Sequence, residues 1–205
     1  NDVMGAYDYT IGFTEDVDQD AQYFIGADFA ISSGPRADFD AYTVVKKKNE
    51  QFTLVYAQDP KGWQRPSKVQ RLRELYEKYE TMKGCIIIAD ESNMGTMVMN
   101  DLRSQGITVV AQNFHSAARK KLILTLANVF QGKAIVIPRS IDDVEAYRIS
   151  ELIKDQLIGF RRRPSSKTGA ELIQSTAQHD DVAISLAMAV QEGTMHEDMG
   201  LSPVW

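Results

Sequence analysis

The stretch AQYFIGADFAISSGPRADFDAYTVVKKKNEQFTLVYAQ, residues 21–58, decides how this chain folds. Residues 21–31 are short, apolar and aromatic, as a buried strand requires, and the Gly- and Pro-bearing loop SSGPRAD ends them. AYTVVKK and QFTLVYAQ are two further β-rich runs with only the polar KNE between them, which predicts a hairpin. The three strands form an antiparallel meander. Within the first of them stands Asp28, whose ionised side chain among aromatic neighbours is costly without a cation partner.

Downstream the period changes from two to nearly four. Ser67 can cap a helix in which Val69, Leu72, Tyr76 and Tyr79 recur at helical spacing, with Gly84 as its stop. CIIIAD (85–90) reads as a short buried strand, MGTMVMNDLRSQ as a helix and ITVVAQ as a strand. SAARKKLILTLANVF follows as a helix with Leu122, Ile123, Leu126, Val129 and Phe130 on one face. KAIVIPR supplies a strand, SIDDVEAYRISELIKDQL a helix, and DDVAISLAMAVQEG the last helix. Antiparallel strands first, then strands alternating with helices, predict an α/β fold with a mixed sheet covered on both faces.

The totals fit one soluble domain: 205 residues, 43% hydrophobic and 25% charged. No apolar run approaches the roughly 20 residues that cross a bilayer. The first 20 residues are acidic, unlike a signal or transit peptide, and the absence of an initiator Met fits a piece cut from a longer protein. The single Cys85 excludes an internal disulfide, and its apolar setting reads as a buried, unreactive thiol in a reducing compartment. The net charge of −5 conceals a gradient, since Arg36 is the one basic residue among the first 45. Basic clusters come later: Lys46, Lys47 and Lys48; Arg119, Lys120 and Lys121; Arg161, Arg162, Arg163 and Lys167. Each could be a solvated face, but beside a carboxylate centre they would suit a polyanion.

Chain order brings acids together. Asp90 ends a buried strand at the carboxyl edge, where open α/β sheets gather ligands, and Asp180 and Asp181 open the final helix. A doubled aspartate alone proves nothing, because Asp142 and Asp143 after Ser140 are explained by helix capping. Crowded carboxylates raise one another's pKa unless a divalent ion neutralises them. With no His or Cys cluster at metal spacing, oxygen ligands favour Mg²⁺ or Mn²⁺. Two such ions about 4 Å apart can activate a water and stabilise the leaving oxygen of a phosphodiester. Scattered structural acids are the competing reading.

YFIGADFAISSGPRADFDAYTVV, IIIADESNMGTMVMNDLRSQGI, ARKKLILTLANVFQGKAIVIP and QHDDVAISLAMAV, in that order, resemble the C-terminal nuclease domain of the bacteriophage large terminase subunit. The resemblance spans about residues 21–192 and implies a ribonuclease H-like fold: antiparallel first strands, then parallel ones, with helices on both faces. It implies a linker or extension over 1–20, the nuclease domain over 21–195 and a tail over 196–205. It makes Asp28 the first-strand ligand to both ions and Asp90 the second acid, with Gly95 five residues on and Glu91 its rival. Asp180 and Asp181 become the closing pair, of which at least one holds metal. Asp40 matches either an acid heading the second strand or a supporting hydrogen-bond acceptor, and His179 either a structural histidine or a general base.

The implied activity is divalent-metal-dependent hydrolysis of double-stranded DNA concatemers during viral genome packaging, in the cytoplasm of an infected host cell. Lys46 to Lys48, Lys120, Lys121, Arg161 to Arg163 and Lys167 would grip the DNA backbone. Implied partners are an ATPase motor domain in the full-length chain, the portal and the small terminase subunit, with no membrane. No phosphate-binding Gly-x-x-x-x-Gly-Lys-Ser/Thr loop occurs in the sequence, so the motor would lie elsewhere or the chain would be a stand-alone relative. The alternatives are a Holliday-junction resolvase or transposase-like nuclease of the same fold, and a non-catalytic DNA- or portal-binding module.

Overall fold

A computed structural model describes residues 2–14, 16–30, 39–113, 115–164, 171–175 and 179–198. The predicted meander is present as β2 (Gln22–Asp28), β3 (Ala41–Lys48) and β4 (Gln51–Gln58), with Asp28 opposite Ala41 and Tyr42 opposite Gln58. Asn49 and Glu50 form the β3–β4 turn, both at positive φ, the geometry that matches the twist of a tight hairpin.

The chain then alternates through α1 (Arg65–Tyr79), β5 (Cys85–Asp90), α2 (Asn93–Ser104), β6 (Val109–Gln112), α3 (Ser116–Gln131), β7 (Ile135–Pro138), α4 (Val144–Gly159) and α5 (Asp181–Asp198). The stretch expected to be a linker or extension contributes a short 3-10 helix, Asp2–Ala6, and a two-residue strand, β1 (Tyr7–Asp8). β1 lies parallel to β7 and completes a sheet ordered β1-β7-β4-β3-β2-β5-β6. Within that sheet only β3 runs against the others, so it is mixed as expected.

The pleat sends successive side chains to opposite faces and so builds two cores. Tyr23, Ile25 and Ala27 join Ile87 and Ala89 beneath α1 and α2. Phe24 and Ile88 join α3, α4 and α5 on the other face, where Leu122, Ile123, Leu126, Val129 and Phe130 are all buried as the helical pattern required. Every residue from Val182 to Val190 is buried, so α5 is enclosed rather than amphipathic.

Two helix boundaries differ from the sequence reading. α1 begins at Arg65, with Gln64 in the N-cap position and Pro66 in the first turn, so Ser67 lies inside the helix. Proline fits there because first-turn N–H groups have no partner within the helix. The helix ends at Tyr79, and Gly84, at φ 93°, serves the turn into β5 instead. Of the doubled aspartate Asp142–Asp143, Asp143 caps α4 by accepting from the Ala146 amide at 3.0 Å, while the Asp142 amide donates to Ser140 Oγ at 3.2 Å. Residues 160–175, read only as a basic cluster, contain a separate hairpin of β8 (Phe160–Pro164) and β9 (Glu171–Ser175), with β9 against α3.

Candidate metal centre

Alternation places two acids side by side. Asp28 follows Phe24 and Gly26 on the α5 face of β2, and Asp90 follows Ile88 on the same face of β5. The strands are parallel and their register reaches Ala27 opposite Ala89, so each acid stands one residue beyond that pair at the carboxyl edge. Strands this close leave roughly 4.8 Å between neighbouring backbones.

The third element arrives from far along the chain. α5 settles on β2 because Gly26 has no Cβ: one built there would lie 1.9 Å from the Ser185 carbonyl oxygen. Ser185 Oγ donates to the Gly26 carbonyl at 2.8 Å and lies 2.9 Å from Thr43 Oγ1 on β3. The small residues of SLAMA thus set the approach of α5, which brings Asp180 and Asp181 at its N-terminus to the sheet edge. Gly95 does the same for α2, since a Cβ there would lie 1.8 Å from the Asp90 carbonyl oxygen. The acid-(x)4-Gly spacing is therefore a close approach of helix to strand end.

The electrostatics report the convergence. The Asp28 carboxyl is raised well above its ordinary value, first by burial and then by Asp181, Asp90 and Asp180 in that order, with Arg119 opposing. Such crowding is what a cation relieves. The donor set is carboxylate oxygen throughout, so Asp28, Asp90 and Asp181 fit a hard divalent ion. Among the described residues, no three acidic, histidine or cysteine side chains already stand in a shared cage. Like charges repel and take other partners: Asp180 meets the Arg119 guanidinium, and Asp90 Oδ1 accepts from the Ser92 amide at 3.0 Å.

Other candidates fall elsewhere. Asp40 is fully buried, pairs with Lys68 of α1 and accepts from the Ala30 amide at 2.9 Å. It precedes Tyr42, on the α1 face, so the pleat turns it away from Asp28. Glu91 is exposed and accepts from Asn113 Nδ2 at 3.2 Å. His179 packs edge-on against Phe39, with Nδ1 3.9 Å from Asp181 Oδ2. It lines a cavity of about 340 Å³ between Phe39, Arg148, Gln156 and Asp181. Cys85 is buried, which pushes its thiol far up.

The basic clusters separate. Lys46 and Lys47 lie opposite Tyr23 and Gln22, at the far end of β2 from Asp28. Six residue steps along the strand, roughly 20 Å, divide Lys47 from Ala41. Lys47 donates to the Gly193 carbonyl at 3.0 Å, and Lys48 pairs with Asp18 at 2.8 Å. Lys120 and Lys121 occupy the first turns of α3, near the site. Arg161 to Arg163 lie on β8, and Lys167 lies outside the described residues. Sequence reasoning missed that Arg119 reaches Asp180, and no spacing signals that pairing across 61 residues.

No protein-family model matches the chain, and no curated protein does. Solved structures do. The large terminase nuclease from thermophilic phage G20c has a TM-score of 0.68 and 25% identity, covering 88% of this chain and 87% of that one. The fold is that of the large-terminase nuclease domain. The same G20c nuclease domain with bound magnesium, and again with bound cobalt, gives 24% identity and a TM-score of 0.69 over 88% of this chain and 86% of that one. The large terminase from a second thermophilic bacteriophage, at 16% identity and a TM-score of 0.60, covers 93% of this chain but only 44% of its own length. The terminase nuclease resemblance and the ribonuclease H-like α/β architecture both hold. No helix among the described residues is long and apolar enough to cross a membrane.

Proposed function

We propose that this terminase-like domain is a divalent-metal-dependent endonuclease that cuts double-stranded DNA concatemers during viral genome packaging. One observation carries the reading: Asp28 and Asp90 adjoin on one face at the sheet's carboxyl edge, and α5 delivers Asp180 and Asp181 to the same place. Asp28, Asp90 and at least one of the closing pair would hold ions, Mg²⁺ or Mn²⁺ and two in number. Such ions activate a water for attack on a phosphodiester and neutralise the departing oxygen. The chain's own backbone would position these acids: Asp28 ends the interior strand β2, and Asp90 ends β5, where α2 approaches closely at Gly95. The basic residues of β8 and the first turns of α3 would hold the DNA backbone, which carries no sequence information directly.

By analogy with that second phage's large terminase, solved with ADP and with ATP-gamma-S, the domain would work beside an ATPase motor, with portal and small subunit as further partners in the infected host cytoplasm. The test is conversion of supercoiled plasmid to nicked and linear forms in Mg²⁺ or Mn²⁺. Asp28→Ala and Asp90→Ala should each reduce the rate at least about 100-fold, the scale on which removing transition-state charge stabilisation acts. Intact plasmid alongside retained DNA binding would make it a binding module. Preference for four-way junctions over linear duplex would make it a resolvase.

A further inference from the structure

The two adjacent acids of the closing pair have diverged in partner. Asp181 is the first residue of α5, with Oδ2 3.9 Å from His179 Nδ1. Asp180 stands just before the helix, where its carbonyl accepts from the Ile184 amide at 2.9 Å and its carboxylate meets Arg119. Arg119 is itself well fixed at its base. His115 caps α3 by accepting from the Ala118 amide through Nδ1 at 3.1 Å, and its carbonyl accepts from the Arg119 amide at 3.0 Å. One turn on, Leu122 is packed in the same core as Val182 and Leu186 of α5, so both partners are held on elements docked to each other. Outward, the Arg119 side chain keeps 35% of its exposure against 16% for Asp180. A guanidinium is a planar fork with more donors than one carboxylate can engage, and it matches phosphate oxygens as a lysine ammonium does not.

Building on the nuclease reading above, we infer that Asp180 is a positioning residue rather than an ion ligand: it holds the Arg119 guanidinium to clamp a phosphate oxygen of the strand being cut, while Asp28, Asp90 and Asp181 take the ions. The pair belongs to the substrate side of the site. An acid that orients an arginine gives it a defined geometry before DNA arrives, so less conformational freedom is lost on binding.

Calorimetric titration of Mn²⁺ and steady-state cutting of linear duplex separate the roles. Asp181→Asn should weaken Mn²⁺ binding at least about tenfold and abolish cutting, whereas Asp180→Asn, Arg119→Ala and Arg119→Gln should bind Mn²⁺ within about threefold of the wild type. The two Arg119 variants should lose roughly 100-fold in kcat, Arg119→Lys should recover less than a tenth of the wild-type rate, and Asp180→Asn should fall about tenfold. Thermal melts of all variants establish that they fold, and Arg119→Gln preserves the stem if alanine does not. Loss of Mn²⁺ affinity in Asp180→Asn equal to that in Asp181→Asn overturns the assignment, as does wild-type cutting by Arg119→Ala. A wild-type protein that neither binds Mn²⁺ nor cuts overturns the nuclease reading itself, which the variants are not needed to reveal.

Discussion

At Asp28, burial and three neighbouring carboxylates act in one direction, so the folded domain holds the proton more tightly than the unfolded chain does. The native state therefore binds more protons once pH exceeds the ordinary aspartate value, about 3.9. Where the native state binds more protons, stability falls as pH rises, so the contribution of Asp28 is complete at low pH and is lost as pH climbs through its raised value. Asp28→Asn removes the repulsion without removing volume. In the presence of a chelator it should melt higher than the wild type, by roughly 2–4 °C for each kcal/mol regained, with the gap widening from pH 5 to pH 8. It should also fail to cut DNA. Equal melting temperatures across that range, read by calorimetry, would remove repulsion at Asp28 as a cost of the site. Asp40 shows the contrast: it too is buried and its carboxyl is raised by that burial, but Lys68 and the Ala30 amide stand against it and oppose the rise.

At the scale of elements, the site depends on how closely two helices approach two strand ends. Gly26 and Gly95 are needed not for unusual backbone angles but because the Ser185 and Asp90 carbonyls occupy the space of a Cβ. Gly26→Ala should force α5 away from β2, costing roughly 1–3 kcal/mol in denaturant unfolding and displacing Asp180 and Asp181 together. The expected signature is a larger loss of cutting rate than of folded fraction at working temperature. A variant that unfolds earlier but cuts normally when folded would show that α5 has slack at its N-terminus. The close approach at Gly26 brings the α5 backbone at Ser185 onto β2, a partner the sequence did not reveal.

Over the whole molecule, the proposed function requires a chain of net charge −5 to hold DNA through local positive regions. The fold places β9, the partner strand of β8, against α3, and carries Lys46 to Lys48 to the far end of β2 from Asp28. Replacing Arg161, Arg162 and Arg163 together by Ala should flatten the salt dependence of duplex binding, by about 0.9 in the log–log slope for each phosphate no longer neutralised. Replacing Lys46, Lys47 and Lys48 should leave that slope unchanged. Fluorescence anisotropy across a salt series reads both, and a reversed ranking would move the DNA path to the opposite end of the sheet.

The sequence by itself determined the order and type of the main elements, because strand and helix periodicities and turn residues are local signals. It also singled out Asp28, since a carboxylate in an aromatic strand is conspicuous wherever that strand goes. It could not show that Tyr7–Asp8 add an edge strand to the sheet, since a two-residue strand has no period to read. Nor could it show that Asp40 meets Lys68 or that Asp180 meets Arg119, because that depends on which face of the pleat an acid takes and which cation comes within reach. Those choices are made by pairings between residues tens to more than a hundred positions apart: Lys68 with Asp40, Arg119 with Asp180, Gly26 with Ser185. Tertiary structure alone supplies them, because each is a distance between elements rather than a property of either one.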